Sequence, residues 1–173
     1  MDIVLRAAFD ELFLVRVLNA LAEWNAEILR MVPASKLPNL YDSGVIYQRE
    51  PFELWSDVIH TLRAGHEDCD ALSAWRAGEL MGRGWRALSP ADGGYADAVQ
   101  LRPEHIEAEV MLRTRSEPVQ PGLYHCIVRY RVGNHWYRDD PSTRLGMHQG
   151  ERRPNPWGAR PEPIHPNRVE AAA

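Results

Sequence analysis

Residues 124–141 read Tyr-His-Cys-Ile-Val-Arg-Tyr-Arg-Val-Gly-Asn-His-Trp-Tyr-Arg-Asp-Asp-Pro. Tyr124, Cys126, Val128, Tyr130 and Val132 alternate with His125, Ile127, Arg129 and Arg131, the period of two that a strand imposes. Gly133-Asn134 is a two-residue hairpin turn, and His135-Trp136-Tyr137-Arg138 returns as the partner strand. A loop of that length pairs Val132 with His135 and, counting outward, Ile127 with Asp140. His125 and Ile127 share a face, so Asp140 falls on the His125 face, about 7 Å away along the diagonal, while Asp139 points to the other. One bulged residue would exchange the two aspartates.

Toward the N-terminus, Ile106 to Thr114 reads as a further strand and Pro90 to Gly94 as a turn cluster. Before them the pattern becomes helical. Asp68 suits an N-cap for a helix from Cys69 to about Met81, with Gly82 and Gly84 at its exit. Phe52 to Leu62 reads as a short helix with Leu54, Trp55, Val58, Ile59 and Leu62 inward, stopped near Gly65. Between Pro33 and Pro51 the Pro, Asn, Asp, Ser and Gly residues mark a connecting loop. Residues 2–31 carry Leu5, Phe9, Leu12, Val15, Leu18, Leu21 and Ile28 at helical steps, one stripe of a long helix ending at Pro33. Phe13, Leu14, Val17 and Trp24 widen that stripe into a face that crosses a core or meets a partner. Helices first and an antiparallel sheet second define an α+β domain.

At 173 residues and 45% hydrophobic composition the chain has the size of one ordinary globular domain. Two cysteines, Cys69 and Cys126, exclude a disulfide-dense scaffold and fit a reducing compartment. The opening MDIVLRAAFDELF interrupts its apolar residues with acids, so neither a signal peptide nor a membrane span is expected, and a cytoplasmic location is. The net charge of −4 speaks against nucleic acid as a partner. The charge is uneven, with ten basic against eighteen acidic residues up to residue 112 and ten against six beyond it. Residues 1–32 form the long helix, 33–149 the core, and 150–173 a Pro- and Arg-rich tail with too few apolar residues for a core of its own, extended in isolation.

Gly65-His66-Glu67-Asp68-Cys69-Asp70 places a cysteine where a loop becomes a helix. The unpaired N–H groups and positive dipole end of a first helical turn favour thiolate over thiol, while Asp68 and Asp70 oppose it, so a cationic partner is needed. A buried structural cysteine is the competing reading. The hairpin supplies the cation: His125 with Asp140 beside it, plus Cys69 at a helix start, are the nucleophile, base and orienting carboxylate of a thiol catalytic system.

The order Cys, His, Asp, the Gly-x-x-Asp-Cys-Asp stretch, and a hairpin with His125 near its start and Asp140-Pro141-Ser142 at its end resemble the transglutaminase-like superfamily of cysteine enzymes. The resemblance covers Tyr47 to about Leu145. It implies a papain-like α+β fold in which the Cys helix packs on an antiparallel sheet carrying His and Asp. By the same resemblance Cys69 is the nucleophile, His125 the general base and acid, and Asp140 the group that holds the imidazole. Trp55 stands where bacterial members often have Trp-Gln. Ser56 replaces that Gln, which helps bind the oxyanion of the tetrahedral intermediate, and loss of one such donor costs about 10²- to 10³-fold in rate. Glu67 replaces a preferred Gly, narrowing the approach and adding negative charge. The implied reaction is hydrolysis or acyl transfer at an amide of a peptide or protein, as in a thiol peptidase, with no cofactor.

The rival reading, motivated by Ser56, Glu67, the wide N-terminal helix and the tail, is a catalytically degenerate structural subunit of a large assembly such as a phage virion, held through that helix and tail. Phage genomes carry small transglutaminase-like proteins, which links the two readings by resemblance. Cys126 alternates to the face opposite His125 and reads as core. His66, Asp68, Cys69 and His125 match no common zinc spacing, so no metal is expected. Trp75, Trp85 and Trp136 read as core, and His60 and His105 as helix-surface or loop residues. Arg129, Arg131 and Arg138 form either a strip for an anionic partner or a solvated face, and Asp139 is available to pair with an arginine.

Overall fold

Asn19, in the first half of the long N-terminal helix, shows how the helical and sheet halves are joined. Its side-chain amide donates to the Val110 carbonyl (3.0 Å) and accepts from the Val110 N–H (2.8 Å), satisfying a strand that has no neighbour on that side among the described residues. The computed structural model describes residues 11–49, 54–84, 106–112 and 124–147. They form α1 (Glu11–Met31), a 3-10 turn (Leu40–Asp42), β1 (Ile46–Tyr47), α2 (Val58–Ala64) and β2 (His66–Glu67), followed by α3 (Cys69–Arg83). Three strands and a last short helix complete the order: β3 (Ile106–Leu112), β4 (Cys126–Val132), β5 (His135–Asp139) and α4 (Pro141–Arg144). Strands β3, β4 and β5 make an antiparallel sheet in sequence order, and β1 and β2 a short parallel pair. The architecture is α+β with helices packed on an antiparallel sheet. Among the described residues no helix is long and apolar enough to cross a membrane.

The hairpin register is Val132 with His135 through Val128 with Asp139, without a bulge. Alternation then sorts the two faces of the sheet. Ile106 and Val110 of β3 and Cys126, Val128 and Tyr130 of β4 are buried against Leu14, Leu18 and Ala22 of α1 and Ala74, Ala77 and Leu80 of α3. On the outer face Arg129 pairs with Glu109 and Arg131 with Glu107, and both guanidinium groups stack on Trp136, at 4.5 and 5.6 Å from the ring centre. Trp136 is thus not core, as the sequence suggests, but 45% exposed and sandwiched by cations. Trp75 is buried; Trp85, His105 and the tail from residue 150 lie outside the described residues.

Helices α1 and α3 cross at unusually close range because their contact is made by small residues. A Cβ added to Gly78 would sit 2.7 Å from the Ala22 carbonyl oxygen, and one at Gly82 would sit 2.7 Å from that of Ala26. Gly82 therefore belongs to the helix interior as a contact residue; the exit is Gly84 alone, the C-cap of α3. Beside it Arg83 donates to the carbonyls of Leu29 (3.0 Å), Val32 (2.7 Å) and Leu37 (2.8 Å), closing the end of α1. On the far side of α1, Leu12, Phe13, Trp24 and Met31 are exposed, so the wide apolar stripe is only in part a core stripe. Its expected start, residues 2–10, lies outside the described residues.

Helix α2 is shorter than the expected Phe52 to Leu62. Asp57 accepts the N–H of both Ile59 and His60 at 3.0 Å, and this cap sets the start at Val58. Residues 54–57 are non-helical, and 51–53 lie outside the described residues. Gly65, at φ +75°, turns the chain left-handedly out of α2 and into β2.

Candidate active site

Everything that places Cys69 is local. Strand β2 pairs in parallel with β1, Tyr47 opposite Glu67, and leads directly into α3, whose first residue is Cys69. Asp68 is the N-cap and accepts the Asp70 N–H at 3.3 Å. The Ala71 N–H goes to the Asp70 carboxylate (2.6 Å) and the Leu72 N–H to the Asp68 carbonyl (3.2 Å). The Cys69 N–H is the first amide of that turn. Glu67, expected to narrow the approach, is 2% exposed, so its side chain is buried, with one oxygen 3.4 Å from the Asp68 N–H.

The hairpin brings the other two groups. His125 precedes β4, so its ring is not bound by the strand's alternation, and its Nε2 lies 2.8 Å from Oδ2 of Asp140. Asp140 is the N-cap of α4, its Oδ1 accepting the Thr143 N–H at 3.1 Å, with Pro141 fixing the first helical position. One carboxylate therefore orients the imidazole with one oxygen and starts a helix with the other. Nδ1 of His125 is buried and makes no hydrogen bond among the described residues, which leaves it as the nitrogen for proton exchange.

Cys69 is half-buried, its Sγ 3.9 Å from the Tyr124 carbonyl oxygen. Its thiol is pulled down to about 6: a hydrogen bond from the Cys126 thiol acts most strongly, burial opposes it, and the His125 side chain and the Cys126 N–H add to the lowering against the charge of Asp68. His125 is pushed up to about 9, first by Asp140 and then by Cys69, against burial. Together the two shifts favour thiolate and imidazolium over the pH range between them. Burial raises Asp140, but the hydrogen bonds from His125 and Thr143 outweigh it and hold the carboxyl below its ordinary range.

Trp55 is buried in the core cluster against which Cys69 packs. Ser56 is also buried, between Trp55 and the Asp57 cap. The structure thus brings Cys69, His125 and Asp140 together with Trp55 at the edge.

Asp139, next to Asp140, points into the protein and accepts from Arg76 Nε (2.8 Å) and the Tyr41 hydroxyl (2.8 Å), with Arg144 at 3.2 Å. Arg76 also pairs with Glu79 at 2.6 Å, and Glu79 in turn accepts the Leu40 N–H at 2.7 Å. Arg76, Glu79 and Asp139 are each more than nine-tenths buried. Burial favours neutral Arg76, but the charges of Glu79 and Asp139 reverse that and hold it firmly protonated. This cluster anchors the β5–α4 corner from behind. Sequence reasoning found only Asp139 of its members, since Arg76 and Glu79 look like an ordinary surface pair one helical turn apart.

Tyr47 was also missed: burial and then the charges of Cys69 and Asp68 raise its phenol, which puts it on the nucleophile's side. Among the described residues no group of three or more His, Cys, Asp or Glu side chains is placed to hold a metal ion. Compared with protein-family models, curated proteins and solved structures, the chain finds no match, so the case for its chemistry rests on this geometry.

Proposed function

We propose that the protein is a papain-like, transglutaminase-like cysteine hydrolase or acyltransferase acting on an amide of a peptide or protein. The observation that carries this reading is the His125–Asp140 hydrogen bond together with Cys69 at the start of α3, its thiol lowered to about 6. The Cys69 thiolate attacks the carbonyl carbon, and the developing oxyanion is met by the Cys69 N–H at the start of α3. His125 gives its proton to the leaving amine, and a thioester forms. His125 then takes a proton from water or a second amine, which attacks the thioester and frees Cys69.

The test is the pH dependence of Cys69 alkylation by iodoacetamide. The wild type is expected to react as a thiolate from about pH 6, and His125→Ala to need a pH nearer the ordinary thiol value of about 8.5. Ordinary thiol behaviour in both proteins sinks the enzyme reading. That outcome supports the second reading, a structural subunit of a larger assembly such as a phage particle, for which Trp24 and Met31 on the outer side of α1, 57% and 72% exposed, provide a contact surface.

A further inference from the structure

Cys126 is the first residue of β4 and lies on the face that packs against α3, among Val128, Tyr130 and Ala74. Alternation turns it away from the outer face of the sheet and into the cluster against which Cys69, the first residue of α3, packs. The Cys69 sulfur is 3.9 Å from the carbonyl of Tyr124, two residues before Cys126, Cys69 packs against the cluster that holds Cys126, and the two thiols shift one another's ionisation in opposite directions. Both cysteines are free. The molecule therefore holds a partly exposed sulfur packed against the cluster that buries a second, which is 1% exposed.

We infer that Cys69 and Cys126 form a reversible peroxide-driven switch, in which a disulfide between them removes the nucleophile of the site. The oxidant is a hydroperoxide. The Cys69 thiolate attacks the outer peroxide oxygen, the O–O bond breaks, and the departing alkoxide or hydroxide takes a proton from His125, leaving Cys69 as a sulfenic acid. Sulfur loses two electrons and the peroxide gains them. The Cys126 sulfur then attacks the sulfenic sulfur, the S–OH bond breaks, and the hydroxide leaves as water with the thiol proton.

The first step prepares the second. A hydrogen bond to the Cys69 thiolate is the first cause that keeps Cys126 protonated, with burial next, and conversion of Cys69 to a neutral sulfenic acid removes that first cause. The sulfurs must close to about 2.05 Å for the bond to form.

The switch rests on the reading of Cys69 as an ionised thiol but not on any substrate. The test exposes full-length protein to a modest excess of hydrogen peroxide and follows intact mass, peptide maps without reductant, and iodoacetamide labelling. The expected result is a species lighter by two hydrogens with Cys69 and Cys126 peptides linked, loss of labelling, and recovery with dithiothreitol. In Cys126→Ala the two-hydrogen loss is expected to vanish and to be replaced by gain of oxygen at Cys69. Direct gain of two or three oxygens by the wild type, with no linked peptide, overturns the switch, as does a disulfide between copies through Cys69 with Cys126 still free. Labelling of untreated protein at about pH 6 separates the two failures, since it reports the ionised thiol alone.

Discussion

At Cys69 and His125 the pH dependence of stability has two opposite components. His125 is raised, so its contribution is complete below the unfolded value of about 6.5 and is lost as pH climbs through about 9. Cys69 is lowered, so its contribution is complete above the ordinary thiol value of about 8.5 and is lost as pH falls through about 6. In the wild type these slopes offset one another between about pH 6.5 and 8.5. Cys69→Ser removes one of them and leaves His125 raised by Asp140. Its thermal midpoint is therefore expected to fall as pH rises across that range, against a flat wild-type curve; parallel curves for both proteins contradict the ion pair. Asp140→Asn is expected to bring the His125 pKa, followed by NMR of the ring protons, down from about 9 toward 6.5.

The hairpin was legible element by element because a period of two fixes every side chain once the turn is known, and Gly133-Asn134 fixes the turn. The starts of the helices were legible only where a cap is unambiguous. Asp68 marks α3, whereas the equally effective cap Asp57 lies inside an apolar run that extends the helical pattern backward to Phe52. Gly82 was misread for a related reason: a glycine near the end of a helical pattern signals an exit or a close approach, and only the partner helix decides between them. The seam is testable at Gly78, which is mid-helix and would gain helix propensity as alanine. Gly78→Ala is nonetheless expected to destabilise by about 1–3 kcal/mol, measured by urea unfolding, because the added methyl meets the backbone of α1. A stabilised variant contradicts the close approach.

The whole molecule keeps its least legible feature where distant segments meet. Tyr41, Arg76, Glu79, Asp139 and Arg144 come from four elements, and no spacing along the chain announces that a guanidinium with two carboxylates lies in the interior. Removing one partner leaves the others charged and buried, so Asp139→Ala is expected to cost about 3–5 kcal/mol in chemical denaturation. Tyr41→Phe, which removes one hydrogen bond without stranding a charge, is expected to cost about 1 kcal/mol. Equal small effects from both variants contradict a buried ionic anchor.

Asp140 joins two of these scales in a single carboxylate. Because its oxygens are divided between the Thr143 amide and the His125 ring, fraying of the first turn of α4 removes one of the bonds that fix the carboxylate holding the imidazole. The stability of a four-residue helix is thereby coupled to the orientation of the histidine, and exchange of the Thr143 amide proton reports on that coupling.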